Sequence, residues 1–150
     1  MTATATVTEM MLQFVADKLT DALTGVRVER FRLRPYEANE LPAVRIRPAE
    51  EETDYGPGPW HVARAAAREL FFDVEARTTG DPADVELDSL RSNIVLVVMK
   101  DRTVGGNATG IGEQSTRWEA EAASDATFGV VIIRFKVAYK TRADDARAKL

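Results

Sequence analysis

Few side chains in this sequence could do covalent chemistry. His61 is the only histidine and cysteine is absent, so a catalytic triad, a thiolate nucleophile or a His/Cys metal site would have to be assembled around one imidazole. Asp73 and Glu75 stand two apart. On a strand that spacing puts both carboxylates on one face, where they could hold a cation or act as an acid and base pair. Neither a histidine nor a third acid lies at a ligand-like spacing, so the sequence reading is a solvated strand face. Gly105, Gly106, Gly110 and Gly112 suggest a nucleotide loop, but they follow a helical pattern and precede a strand pattern, the reverse of a dinucleotide fingerprint. No Lys-Ser or Lys-Thr completes a P-loop. These residues predict no catalysis, no metal and no cofactor.

The elements that would position them are legible from periodicity. Leu12, Val15, Ala16, Leu19, Ala22 and Leu23 recur at three- and four-residue spacings and predict a helix over 7–24. Thr6 and Glu9 have the spacing of a capping box, and Gly25 suits a left-handed stop. Pro35 and Pro42 bracket a turn, and Leu41 to Ile46 reads as a strand closed by Pro48. From Ala49 to Pro59 the chain holds Glu50, Glu51, Glu52 and Asp54 among breakers, which predicts a long loop or hairpin tip. Leu70, Phe72, Val74 and Ala76 alternate with Asp73, Glu75 and Arg77 and predict a half-buried antiparallel strand. Asp81-Pro82-Ala83-Asp84 is a helix start, and Leu87, Leu90, Ile94, Val97 and Val98 continue it to residue 99. Two strands follow, 113–122 and 128–140. The second is apolar on both faces at its start, as a central or interface strand is.

The expected fold is therefore α+β: one domain over 1–150, an antiparallel or mixed β-sheet packed by two α-helices, with a long projecting hairpin or loop. Residues 1–6 and 142–150 read as flexible ends. With 150 residues, 45% of them hydrophobic, one ordinary core suffices. The charge balance is 20 basic against 24 acidic residues, −4 formally, with a pI near 5.1. Non-specific phosphate binding requires the opposite excess. The sequence shows no secretory signal, and its apolar runs, such as Ile94 to Met99, fall well short of the ~20 residues that span a bilayer.

Contact residues can be proposed on the same basis. Tyr55 and Trp60 in one Gly-rich loop, with Val104 and Ile111 in another, are apolar groups that a lone subunit would expose. Both loops are expected to be mobile in the free subunit and ordered at contacts. Arg30, Arg32 and Arg34 would share one face of an extended ribbon that could touch phosphate, although in an acidic protein such a ribbon more often pairs with carboxylates.

The order of these elements resembles the tail terminator family of long-tailed bacteriophages over roughly residues 10–142. The resemblance rests on the first helix, the strand Leu41-Pro42-Ala43-Val44, the long insertion, and a strand entering Gly80-Asp81. It continues through the second helix, the turn at Asp101, Val104, Gly105 and Gly106, and a last strand ending in Val137, Tyr139 and Thr141. It implies a structural virion protein at the head-proximal end of the tail, assembled in the host cytoplasm. Its subunits would form a hexameric ring on the last ring of tail-tube protein, stop polymerisation and offer a surface to head-completion proteins. Genomic DNA would pass through the lumen without specific binding, and no membrane is involved. Two other readings stand beside it: another phage neck protein (head-completion or connector), and a small-ligand-binding or enzymatic α+β domain using a pocket near His61 and Asp73.

Overall fold

The computed structural model describes residues 5–32, 34–79, 85–122 and 127–150. Helix α1 runs from Val7 to Ala22 because Thr6 caps it: its backbone is extended, and Oγ1 accepts from the Glu9 amide at 3.1 Å. Only half of the capping box forms, since the Glu9 carboxylate turns instead to Arg30. Gly25, at φ +76°, supplies the left-handed residue after the helix that a side chain would resist. Helix α2 is described from Val85 to Lys100; its expected start at Asp81 to Asp84 lies outside the described residues.

Six strands form one mixed sheet in the order β1, β2, β3, β5, β4, with β6 beside β5. Strand β1 (Arg27–Glu29) pairs parallel with the start of β2 (Ala43–Asp54), just after a cis Leu41-Pro42 bond. All other pairings are antiparallel: β2 with β3 (Ala65–Thr79), β3 with β5 (Thr127–Arg142), β5 with β4 (Gly110–Ala122) and with β6 (Asp145–Lys149). Both helices lie on one face of this sheet. Met11, Leu12, Val15 and Leu19 of α1 and Leu87, Leu90 and Ile94 of α2 pack in one core with Ile46, Phe72, Val74, Ile133, Phe135 and Val137. The fold is thus the single α+β domain expected.

Four expectations need correction. Pro48 does not close β2, because it sits at a register shift between Pro48 and Glu50 where β1 no longer pairs, so its missing N–H leaves no ladder bond unmade. The 49–60 segment is accordingly a hairpin stem to Asp54 and then a tip, residues 55–64. Strand β3 is buried on both faces from Leu70 to Thr78 rather than on one, because it lies between β2 and β5 and its polar face is itself covered. The tail is ordered through β6: β5 outruns the first residue of β4, which pairs at Ala138, and the chain folds back to fill the vacant edge, with the Leu150 amide donating to the Lys140 carbonyl at 3.1 Å. A mixed-charge tail carries no periodicity that would announce this.

Candidate interaction surfaces

The face of the sheet away from the helices carries the residues that first suggested chemistry. In β3, Asp73 lies opposite Arg47 and Arg134, and Glu75 opposite Arg45 and Ile132. Asp73 is 2% exposed and Glu75 3%, so neither belongs to a solvated face. Arg134 donates to both Asp73 oxygens, Nε at 2.8 Å and Nη2 at 3.1 Å, and that hydrogen bond raises the Arg134 pKa. Glu75 Oε2 accepts from Arg45 Nε at 2.8 Å, with Arg45 Nη2 2.7 Å away, and meets Arg47 Nε at 3.3 Å, while Arg77 lies 3.8 Å from Oε1. A buried carboxylate is tolerated only with such partners, and arginine stems supply the cover that the sequence pattern did not reveal. With their oxygens committed to guanidinium groups, these acids form no free pair. His61 stands apart from them in the hairpin tip, in a short 3-10 turn from Trp60 to Val62. Among the described residues, no three His, Asp or Glu side chains are grouped to hold a metal ion.

The arginine ribbon is not a strand, since β1 stops at Glu29. Arg30 is bidentate to Glu9 at 2.8 and 3.0 Å. Arg32 reaches Glu40 at 2.5 Å and Glu29 at 3.3 Å, with its guanidinium 3.9 Å over the Tyr36 ring. Arg32 is the main reason that the Glu40 carboxyl titrates at about 2, well below its usual 4.5, and the Glu37 amide adds to the effect. Arg34 is exposed and touches Glu40 at 3.5 Å. The ribbon thus meets carboxylates, the commoner of its two fates, and Arg32 lies over Tyr36 of the small cluster that Tyr36 forms with Ala43 and Phe128.

The two apolar loops separate. In the turn after α2, the Asp101 carboxylate accepts from the Thr103 amide (2.9 Å), the Thr103 hydroxyl (2.7 Å) and the Gly105 amide (3.1 Å). The Thr103 hydroxyl bond is the largest cause of its lowered pKa. Val104 is 1% exposed and Ile111 6%, so neither is available as a surface contact. The register explains Ile111, because β4 begins at Gly110 and puts Ile111 opposite Val137 on the core face. At the hairpin tip, by contrast, Tyr55 and Val62 are exposed and Trp60 is 72% exposed, with the His61 ring edge-on to the indole at 5.7 Å. The stem below it carries Glu50, Glu52 and Asp54 outward. Glu51 is bound inward, to the Tyr139 hydroxyl and to Arg68. Burial first, and then Glu51, push the Tyr139 pKa up to about 12.

One surface escaped the sequence reading. Ile94 and Val98 are buried in the core and Val95, Val97 and Met99 pack against it while only partly covered, but Leu96 is 73% exposed. The available signal was the unbroken run Ile94 to Met99, since six consecutive apolar residues cannot all face one side of a helix. Val85 and Trp118 add further exposed apolar surface, Trp118 lying beneath the Arg91 guanidinium.

Among the described residues no helix is long and apolar enough to cross a membrane. Compared with known proteins, the sequence matches no family model and no curated protein.

Proposed function

We propose that this chain is a tail terminator, a ring-forming structural protein that caps a phage tail tube, stops its growth and presents a surface for head joining. The observation that carries the reading is the chain order of the motifs taken with their placement. The strand entered at Leu41 to Val44, the projecting hairpin and the closing strand through Val137, Tyr139 and Thr141 belong to one sheet packed by two helices, and the Asp101 to Gly106 turn joins the second helix to that sheet. The surfaces support it in kind. The polar face of β3 is closed by ion pairs, while apolar side chains stand uncovered on the hairpin tip and on α2. Exposed apolar groups at two separate places suit a subunit that joins head to tail, and such heterologous contacts close a ring when the rotation permits. An acidic chain also suits a lumen through which DNA slides without adhering.

Deletion of the gene tests the proposal. Particles should carry overlong tails and unattached heads, visible by electron microscopy. Tails of normal length with a defect confined to DNA packaging would assign the chain to the neck instead.

A further inference from the structure

We propose that the hairpin tip of one copy of this chain docks on the outer face of α2 in a second copy, with Trp60 as its anchor. From the ring reading the inference takes only that copies associate; the surfaces themselves argue for the rest. Trp60 and Val62 stand free on a hairpin, and tryptophan is the residue most often found to dominate an interface when a partner pocket desolvates it. The outer face of α2 offers such a pocket, a groove of about 540 Å³ lined by Val95, Leu96, Val97, Met99 and Lys100. Val97 and Lys100 also border a second groove, between the helices, which holds Phe14, Lys18, Asp21, Ala22 and Asp101. The two grooves meet at Val97 and Lys100.

Charge favours this occupant. The groove on α2 has one ionic side chain, the Lys100 ammonium, while the adjoining groove holds Lys18, over the Phe14 ring, together with Asp21 and Asp101. Asp101 is turned into its own turn by three hydrogen bonds. The hairpin brings Glu50, Glu52 and Asp54 outward behind its apolar tip, so an acidic stem would approach a groove whose one ionic side chain is the Lys100 ammonium. Tip and groove are both uncovered in the same subunit, and pairing them between copies is a heterologous contact, the kind that propagates around a ring.

The absence of cysteine makes a clean test possible. Full-length Val62→Cys and Ser92→Cys proteins, which keep Trp60 and Leu96 and are substituted at exposed sites beside them, are mixed and oxidised, and the rate of disulfide formation is compared with that of Val62→Cys mixed with Arg117→Cys. The expected result is a Val62→Cys/Ser92→Cys heterodimer formed at least about tenfold faster than the control pair, the margin that one interface hot spot supplies, and a loss of that margin when Trp60→Ala is added. The double variant should give a ladder of cross-linked oligomers that ends in a closed species. Equal rates for the two pairs at the highest soluble concentration would overturn the proposal, as would tip-to-tip dimers of Val62→Cys alone. Native mass spectrometry separates this failure from that of the ring reading. Rings without the cross-link leave the ring and remove this contact, whereas a cross-linked ladder together with normal tail length in the deletion phage leaves the contact and removes the terminator role.

Discussion

The turn after α2 and the tip of the β2–β3 hairpin are built from the same materials, glycines at positive φ beside large apolar side chains, and they have opposite fates. In the turn, Gly105 and Gly106 take φ +70° and +81°, and even Val104 is left-handed at φ +48°. Asp101 and Thr103 hold the amides of Thr103, Gly105 and Gly106, and Val104 plugs into the core beside Ile111. At the tip, Gly56 and Gly58 take φ +80° and +95°, but the bonds are local and Trp60 has no floor beneath it. Composition does not decide whether a glycine-rich loop is a surface contact or a core plug. What decides is whether the neighbouring elements leave a hole for its apolar residue and whether an acceptor is placed to hold its amides.

Truncating an apolar side chain at the tip and one packed beside the turn should separate them most. Ile111→Ala removes a packed core side chain and should cost about 2–5 kcal/mol of unfolding free energy. Trp60→Ala should change subunit stability by less than about 0.5 kcal/mol, both read from urea unfolding at a protein concentration where the chain is monomeric. A Trp60→Ala loss as large as that of Ile111→Ala would mean that the tip is packed on its own subunit.

A glycine pair sharpens the contrast. A Cβ at Gly105 would lie 2.8 Å from Phe14 Cδ2, while at Gly58 nothing lies within 4 Å. Both positions bear the left-handed penalty of roughly 1–2 kcal/mol, and only Gly105→Ala adds an overpacking cost of about 1–3 kcal/mol. The thermal midpoint should therefore fall further for Gly105→Ala than for Gly58→Ala. Equal shifts would show that the Phe14 ring swings aside freely.

The smallest effects are pH-dependent. Asp101 and Glu40 both have carboxyl pKa values depressed in the folded chain. Their contributions are thus complete above the ordinary values of 3.8 and 4.5 and are lost as pH falls through the folded values, about 2 for Glu40. Asp101→Asn and Glu40→Gln should each lower the midpoint at neutral pH, and the gap to the parent should narrow on acidification below those ordinary values. A gap that stays constant from pH 5 to pH 2 would place the effect in packing rather than in the carboxylate charge.

Much of the fold could be read before the structure was in hand, for a local reason. Helix α1 has its stripe and Thr6, α2 has its stripe, and β3 and β5 alternate with period two; each pattern is complete within a dozen or so residues. The arginines at 30, 32 and 34 were also legible as partners of carboxylates from charge balance alone, though not which carboxylates. The candidate contacts were half legible: Tyr55 and Trp60 are at the surface, while Val104 and Ile111 are not. Their exposure depends on where β4 begins against β5 and on how the turn packs against α1, and a single segment contains neither.

The sequence by itself determined the class of the chain, two amphipathic helices and a sheet rich in antiparallel strands, because periodicity and capping are properties of neighbours in the chain. Tertiary structure alone decided that Asp73 and Glu75 are buried, since their cover comes from Arg45, Arg47 and Arg134 on adjacent strands. It alone ordered the last residues, by leaving an edge of β5 for β6 to fill. It also decided that Leu96 faces outward, because a helix of one apolar run can turn only part of its circumference to the core and the packing of α1 and the sheet selects which part.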